Sequence, residues 1–118
     1  MAAVLASRRV IHGDVKVVLS VLERRFLELM TESGMELPVT NRLIGGRRVD
    51  CHWPLRRLTV ELDGYRFHRS RHAWVQDRRR EREARARGEE FRRFTYGDVL
   101  EDPRFMLREL FELLGPWS

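Results

Sequence analysis

The stretch that decides the fold is Arg47 to His68, RRVDCHWPLRRLTVELDGYRFH. It reads as two strands, the turn between them and the loop that follows. Along the first strand Val49, Cys51 and Trp53 fall on one face and Arg48, Asp50 and His52 on the other. Along the second, Leu58, Val60 and Leu62 alternate with Thr59, Glu61 and Asp63. Both patterns have the period of two that half-buried strands require. Pro54 to Arg57 supply the turn, because a proline in mid-strand would remove a ladder donor. Pairing Trp53 with Leu58 in an antiparallel register puts Asp50 opposite Glu61 and Arg48 opposite Asp63. Like charges directly opposed on one sheet face destabilise it. Something positive is therefore expected between Asp50 and Glu61, and a divalent metal ion is the simplest candidate.

Working upstream, Leu37 to Ile44 reads as a strand reached through Pro38, and Gly45-Gly46 as a two-residue hairpin of the primed type. Three strands then form a meander. Before them, Leu19, Leu22, Phe26, Leu29 and Met30 mark the apolar stripe of a helix that starts near Val15 and stops at Ser33-Gly34. Glu23 stands on that stripe, an odd place for a carboxylate. Ser20-Val21-Leu22-Glu23 fits a capping box, in which Glu23 reaches back to the Ser20 amide, so a cap and a site role are both open to it. Residues 1–14 have no clear period and read as a loosely held arm, the remnant of a domain that larger relatives carry upstream; residues 15–118 form one domain.

Working downstream, Tyr65, Phe67 and His68 lie in a short loop, and Ser70 is the N-cap of a helix running to about Gly88. Ala73, Asp77, Ala84 and Gly88 lie along one side, small enough for close approach to the sheet. Its other sides carry Arg71, Arg78, Arg79, Arg80, Arg82, Arg85 and Arg87, relieved by Glu81 and Glu83. Such a run is most often a solvated face, but the excess of arginine beside an acidic site favours a phosphate-contacting one. Phe91 to Tyr96 is a fourth strand after the crossover. In the last helix Asp102-Pro103 sets N-cap and N1, the stripe Met106, Leu107, Leu110, Phe111 and Leu114 follows, and Gly115-Pro116 ends it.

Composition agrees with a small charged globular domain. Among 118 residues, 35% are charged and 42% hydrophobic, with 23 basic residues against 18 acidic ones and a net charge of +5. Lys16 is the only lysine, so 22 of the 23 basic residues are arginine. The flat arginine fork suits phosphate and the guanine edge, which fits a nucleic-acid partner. Cys51 is alone, which excludes a disulfide framework and a cysteine zinc cluster. No stretch approaches a membrane span or a secretion signal, which leaves the cytoplasm as the expected location.

The order of elements, with Asp on the second strand and Glu-x-Asp on the third, resembles the PD-(D/E)xK restriction-endonuclease-like superfamily. More closely it resembles the domain-of-unknown-function branch related to the very-short-patch-repair endonuclease. The matching residues are Leu22-Glu23-Arg24-Arg25-Phe26, Val49-Asp50, Val60-Glu61-Leu62-Asp63-Gly64, Phe67-His68, Arg78-Arg79-Arg80 and Arg93-Phe94-Thr95. The chain departs from the motif at Val49, where proline would stand, and at Asp63, where lysine would stand. The resemblance implies an αβββαβα three-layer α/β (α+β) fold with a small mixed sheet between helices. It also implies a metal-dependent endonuclease acting on DNA rather than RNA. Asp50 and Glu61 would hold Mg²⁺ or Mn²⁺, and Glu23, Asp50, Glu61, Asp63 and His68 would be the catalytic set, His68 replacing the lysine. Arg48, Arg71, Arg78, Arg79 and Arg82 would bind nucleic acid. The alternative is an inactive nuclease-fold module that binds nucleic acid or an antitoxin-like partner.

Other residues have plainer readings. His52 is either second to Asp50 or simply exposed on its strand; His72 follows His68 by four positions but straddles the helix start. Trp53, Tyr65, Phe67 and Trp74 are expected to pack in the core and loops, and Cys51 to be a small buried hydrophobe.

Overall fold

Residues 47–63 form the antiparallel pair that their alternation implies. A computed structural model describes residues 11–44, 47–64 and 71–115, and within them the side chains of 11–19, 42–49 and 73 lie outside the description. Four strands, β1 (Val39–Ile44), β2 (Arg47–Trp53), β3 (Leu58–Asp63) and β4 (Glu90–Thr95), lie side by side in that order. β1, β2 and β3 are antiparallel, and β4 runs parallel to β3. The parallel step needs a crossover, which α2 (Arg71–Ala86) provides. α1 (Ile11–Glu32) precedes the sheet and α3 (Arg104–Leu114) follows it, which makes a mixed α+β fold.

One sheet face builds the apolar core. Cys51 and Trp53 of β2, Leu58, Val60 and Leu62 of β3 and Phe94 of β4 meet Leu22, Phe26, Leu29 and Met30 of α1 and Met106, Leu110 and Leu114 of α3. Trp53 is fully buried, with its ring edge against Phe26 at 6.3 Å between centroids. Its indole N–H donates to the Glu36 carbonyl at 2.8 Å, which satisfies the one polar atom it carries inward. Cys51 is buried as expected, and burial pushes its thiol pKa up.

The turn after β2 is a single 3-10 turn, Pro54–Arg56, closed by Arg57 in the left-handed region at φ +53°. Ile44 pairs with Arg47 across positions 45–46; the expected Gly45-Gly46 hairpin turn itself lies outside the described residues, as does the Ser70 cap.

Several boundaries differ from expectation. α1 begins at Ile11, four residues early, and runs 22 residues without a break. A single glycine, Gly13, costs a helix about 1 kcal/mol relative to alanine, too little to end a helix of 22 residues. Ser20 therefore sits in mid-helix, and the capping box with Glu23 does not form. α3 has Pro103 rather than Asp102 at its N-cap position, after a π-helical turn at Gly97–Glu101. That turn is pinned by Asp98, whose carboxylate accepts the Thr95 amide at 2.9 Å and hydroxyl at 3.0 Å. Phe111, expected on the buried stripe, is half exposed. Among the described residues no helix is long and apolar enough to cross a membrane.

Candidate active site

The sheet face opposite the core is polar, and it is covered. All six residues of β3 are buried: on the polar face Arg80 of α2 reaches Glu61, Glu89 bonds Thr59 and Arg93 of β4 lies beside Asp63, while α1 and α3 cover the apolar face. His52, Thr59, Glu61, Asp63 and Asp77 are each no more than 7% exposed. Burying charge is costly unless it is paired and hydrogen-bonded, so the partners in this layer decide what it does.

The ladder between β2 and β3 runs from Trp53–Leu58 through His52–Thr59 to Cys51–Val60 and stops there. Asp50 and Glu61 come next in that register, yet they are not a ladder pair. Instead Asp50 Oδ2 accepts the Leu62 backbone N–H at 2.8 Å. The expected Arg48–Asp63 pair does not form in the ladder either. Asp63 faces Arg93 of β4, 3.9 Å away, and Arg93 also forms an ion pair with Asp77 of α2.

The positive group expected beside Asp50 and Glu61 is present, and it is a side chain. Arg80 of α2 donates from Nη1 to Glu61 Oε1 at 2.8 Å. Burial nonetheless dominates both carboxyls. It raises the Glu61 pKa against the opposing Arg80 charge and hydrogen bond, with Asp50 and Asp77 adding to the rise. It raises the Asp50 pKa against the Leu62 bond and the Arg80 charge. The two carboxylates thus have net unfavourable surroundings as anions even with a guanidinium in place.

At the other end of the layer, Glu89 Oε1 accepts the Thr59 hydroxyl at 2.8 Å and lies 3.5 Å from His52 Nε2. His52 is buried, so its reading as an exposed strand histidine is wrong. It belongs to this second cluster and does not bond Asp50.

Of the expected site residues, the structure brings Asp50, Glu61 and Asp63 into one layer. Glu23 lies half-buried on α1, where its charge and that of Asp50 both act on the Cys51 thiol. His68 lies outside the described residues, and so does the side chain of Arg48. Arg71, Arg78, Arg79 and Arg82 are exposed along α2. Trp74, expected to pack, is 54% exposed, with the Arg78 guanidinium 5.0 Å from its ring centroid. Asp77, Arg80 and Arg93 were not marked as site residues by the sequence. A signal existed for two of them: Asp77, Arg80 and Ala84 fall at helical spacing on the side that faces the sheet.

The chain matches the catalytic domain of the homing endonuclease I-Bth0305I in fold. The TM-score is 0.62 at 18% sequence identity, over 78% of this chain and 91% of that one. The fold resembles that of an endonuclease catalytic domain. Neither a protein-family model nor a curated protein matches the chain in sequence.

That fold hints at a divalent metal ion, and the residues fit one in a limited way. Hard carboxylate oxygens suit Mg²⁺, which is commonly held by one or two carboxylates with substrate phosphate and water completing its shell. Four carboxylates, Asp50, Glu61, Asp63 and Asp77, meet two guanidiniums, Arg80 on Glu61 and Arg93 between Asp63 and Asp77, an excess of negative charge that a divalent cation would offset. Among the described residues no group of three or more ligands is gathered, so Asp50 and Glu61 would be the protein's share.

Proposed function

We propose that this chain is a metal-dependent endonuclease that hydrolyses phosphodiester bonds, in DNA rather than RNA, of the PD-(D/E)xK type and its very-short-patch-repair-related branch. The observation that carries the reading is the acidic pair of half-buried Asp50 and buried Glu61, at the point where the strands of an endonuclease-like sheet stop pairing. A bound Mg²⁺ or Mn²⁺ supplies polarisation of a phosphate oxygen and stabilisation of the leaving alkoxide. Asp50 and Glu61 hold that cation, Asp50 being fixed by the Leu62 amide. His68 accepts a proton from the attacking water, and Glu23 assists through a bridging water. Asp63, five residues before His68, orients its imidazole. Arg71, Arg78, Arg79 and Arg82, with Arg48, bind flanking phosphates.

A second reading has its own observation. The Arg80–Glu61 ion pair neutralises one of the two ligands, as a nuclease fold retained only for nucleic-acid or antitoxin-like binding would allow. Supercoiled plasmid incubated with Mg²⁺, Mn²⁺ or EDTA separates the two. The nuclease reading expects nicked or linear product with either metal, none with EDTA, and none from Asp50→Asn. Binding without cleavage under every metal condition would favour the second.

A further inference from the structure

Arg80 comes down from the middle of α2 onto the acidic pair, whereas its neighbours Arg78, Arg79 and Arg82 are exposed. Its Nη1 is committed to Glu61, while its Nε is buried with no hydrogen-bond partner among the described residues. Its charge acts on Asp50 as well as Glu61. The guanidinium is therefore seated on Glu61, with a buried donor still to spend. The sequence makes this cation conspicuous: Asp63 stands where the Glu-x-Lys pattern would place a lysine, and the only lysine, Lys16, is in α1.

We propose that Arg80 is the cationic group of this site and supplies the positive charge that the lysine would have brought, leaving proton transfer to His68. Without metal it holds Glu61; with metal and substrate present, its free donors bind a non-bridging oxygen of the scissile phosphate. A planar guanidinium with five donors matches phosphate in geometry, and it reaches the site from a helix, with no demand on β3. Competition follows from the same contact. The guanidinium and the metal both seek the Glu61 carboxylate, so the arginine that helps chemistry also weakens metal binding in the absence of substrate. The proposal rests on the nuclease reading above.

The test compares wild type, Arg80→Gln and Arg80→Lys. Melting temperature is measured in EDTA and in Mg²⁺ without nucleic acid, and plasmid cleavage is measured at saturating Mg²⁺. The Gln variant should gain a larger Mg²⁺-induced rise in melting temperature than wild type, because the competitor is gone. It should also cleave about a hundredfold slower, the loss that follows removal of one donor to developing charge. The Lys variant should stay within about tenfold of wild type. An unchanged Mg²⁺ shift or undiminished cleavage in a folded Gln variant overturns the proposal and leaves the nuclease reading standing. If the Gln variant does not fold, the Lys variant decides: folded and more than a hundredfold slower, it overturns the lysine-like role. Wild-type protein that neither cleaves nor responds to Mg²⁺ overturns the nuclease reading and this proposal together.

Discussion

Asp50 Oδ2 accepts the backbone N–H of Leu62 at 2.8 Å, in place of the ladder bonds that the strand pair gives up beyond Cys51–Val60. An amide oxygen can accept the same bond, so Asp50→Asn keeps the tether and removes a half-buried charge. Its metal-free melting temperature should rise by a few degrees, since about 1 kcal/mol corresponds to about 4 °C in a domain of this size. The rise that Mg²⁺ induces in wild type should disappear. Thermal denaturation with and without Mg²⁺ checks both, and an unchanged metal response would remove Asp50 as a ligand.

Burial raises the pKa of Asp50 above its ordinary 3.8 and that of Glu61 above its ordinary 4.5. Each therefore binds its proton more tightly in the folded chain than in the unfolded one. Their contribution to metal-free stability is present in full below the ordinary values and is lost as pH rises through the raised folded values. Metal binding needs the deprotonated carboxylates, so Mg²⁺ stabilisation should grow over the same rise in pH. Melting curves from pH 4 upward, in EDTA and in Mg²⁺, should diverge with increasing pH, and those of Asp50→Asn should coincide. Parallel curves for wild type would contradict the raised pair.

The sheet was legible because β2 and β3 alternate strictly and only one register buries Trp53 beside Leu58. The final strand followed from the need to cross over α2. The first helix was cut short because Gly13 and the arginines before it obscured its beginning, and that error created a cap at Ser20 that mid-helix geometry excludes. The acids of the candidate site stood out because an unbroken register would oppose two carboxylates, although the ladder in fact stops at Cys51–Val60. Their partner did not. Arg80 sits in a run of arginines whose members look alike until the helix is turned to face Glu61, and Asp77 read as a small residue suited to close packing. Arg93 entered only through the Arg93-Phe94-Thr95 match, with no partner assigned to it.

Trp53 ties the β2 end to the chain before β1. Trp53→Phe removes the hydrogen bond to the Glu36 carbonyl and part of the contact with Phe26. The unpaired carbonyl and the space left behind should together cost about 2–3 kcal/mol. Urea denaturation should show a lower midpoint at unchanged slope. A loss under about 0.5 kcal/mol would mean that the carbonyl finds water and the core closes.

Arg79 and Arg82 are exposed on α2 and belong to neither the Glu61 nor the Asp77 ion pair. Reversing both to Glu should weaken nucleic-acid binding for every sequence, because phosphate contacts carry little sequence information. Each phosphate contact to duplex DNA contributes about 0.9 to the slope of log affinity against log salt. The slope should therefore fall in magnitude by about 2. Fluorescence anisotropy of a labelled duplex over a salt series measures it, and an unaltered slope would return α2 to a solvated face.

Glu23 is half-buried on α1, with no hydrogen bond or ion pair to a described residue, and its charge acts on the Cys51 thiol. With Ser20 in mid-helix, a structural cap no longer accounts for it. Glu23→Gln keeps the shape and removes the charge, and stability should stay within about 0.5 kcal/mol. Glu23→Ala should be equally mild, since no cap is lost and alanine favours a helix. Cleavage should nevertheless fall about a hundredfold in both, the usual worth of a positioned acid–base group. The parallel loss is informative because a packing role would let Gln outperform Ala, whereas a charge role treats them alike. Full cleavage by the Gln variant would take Glu23 out of the site and leave Asp50, Glu61, Asp63 and His68 to carry the chemistry.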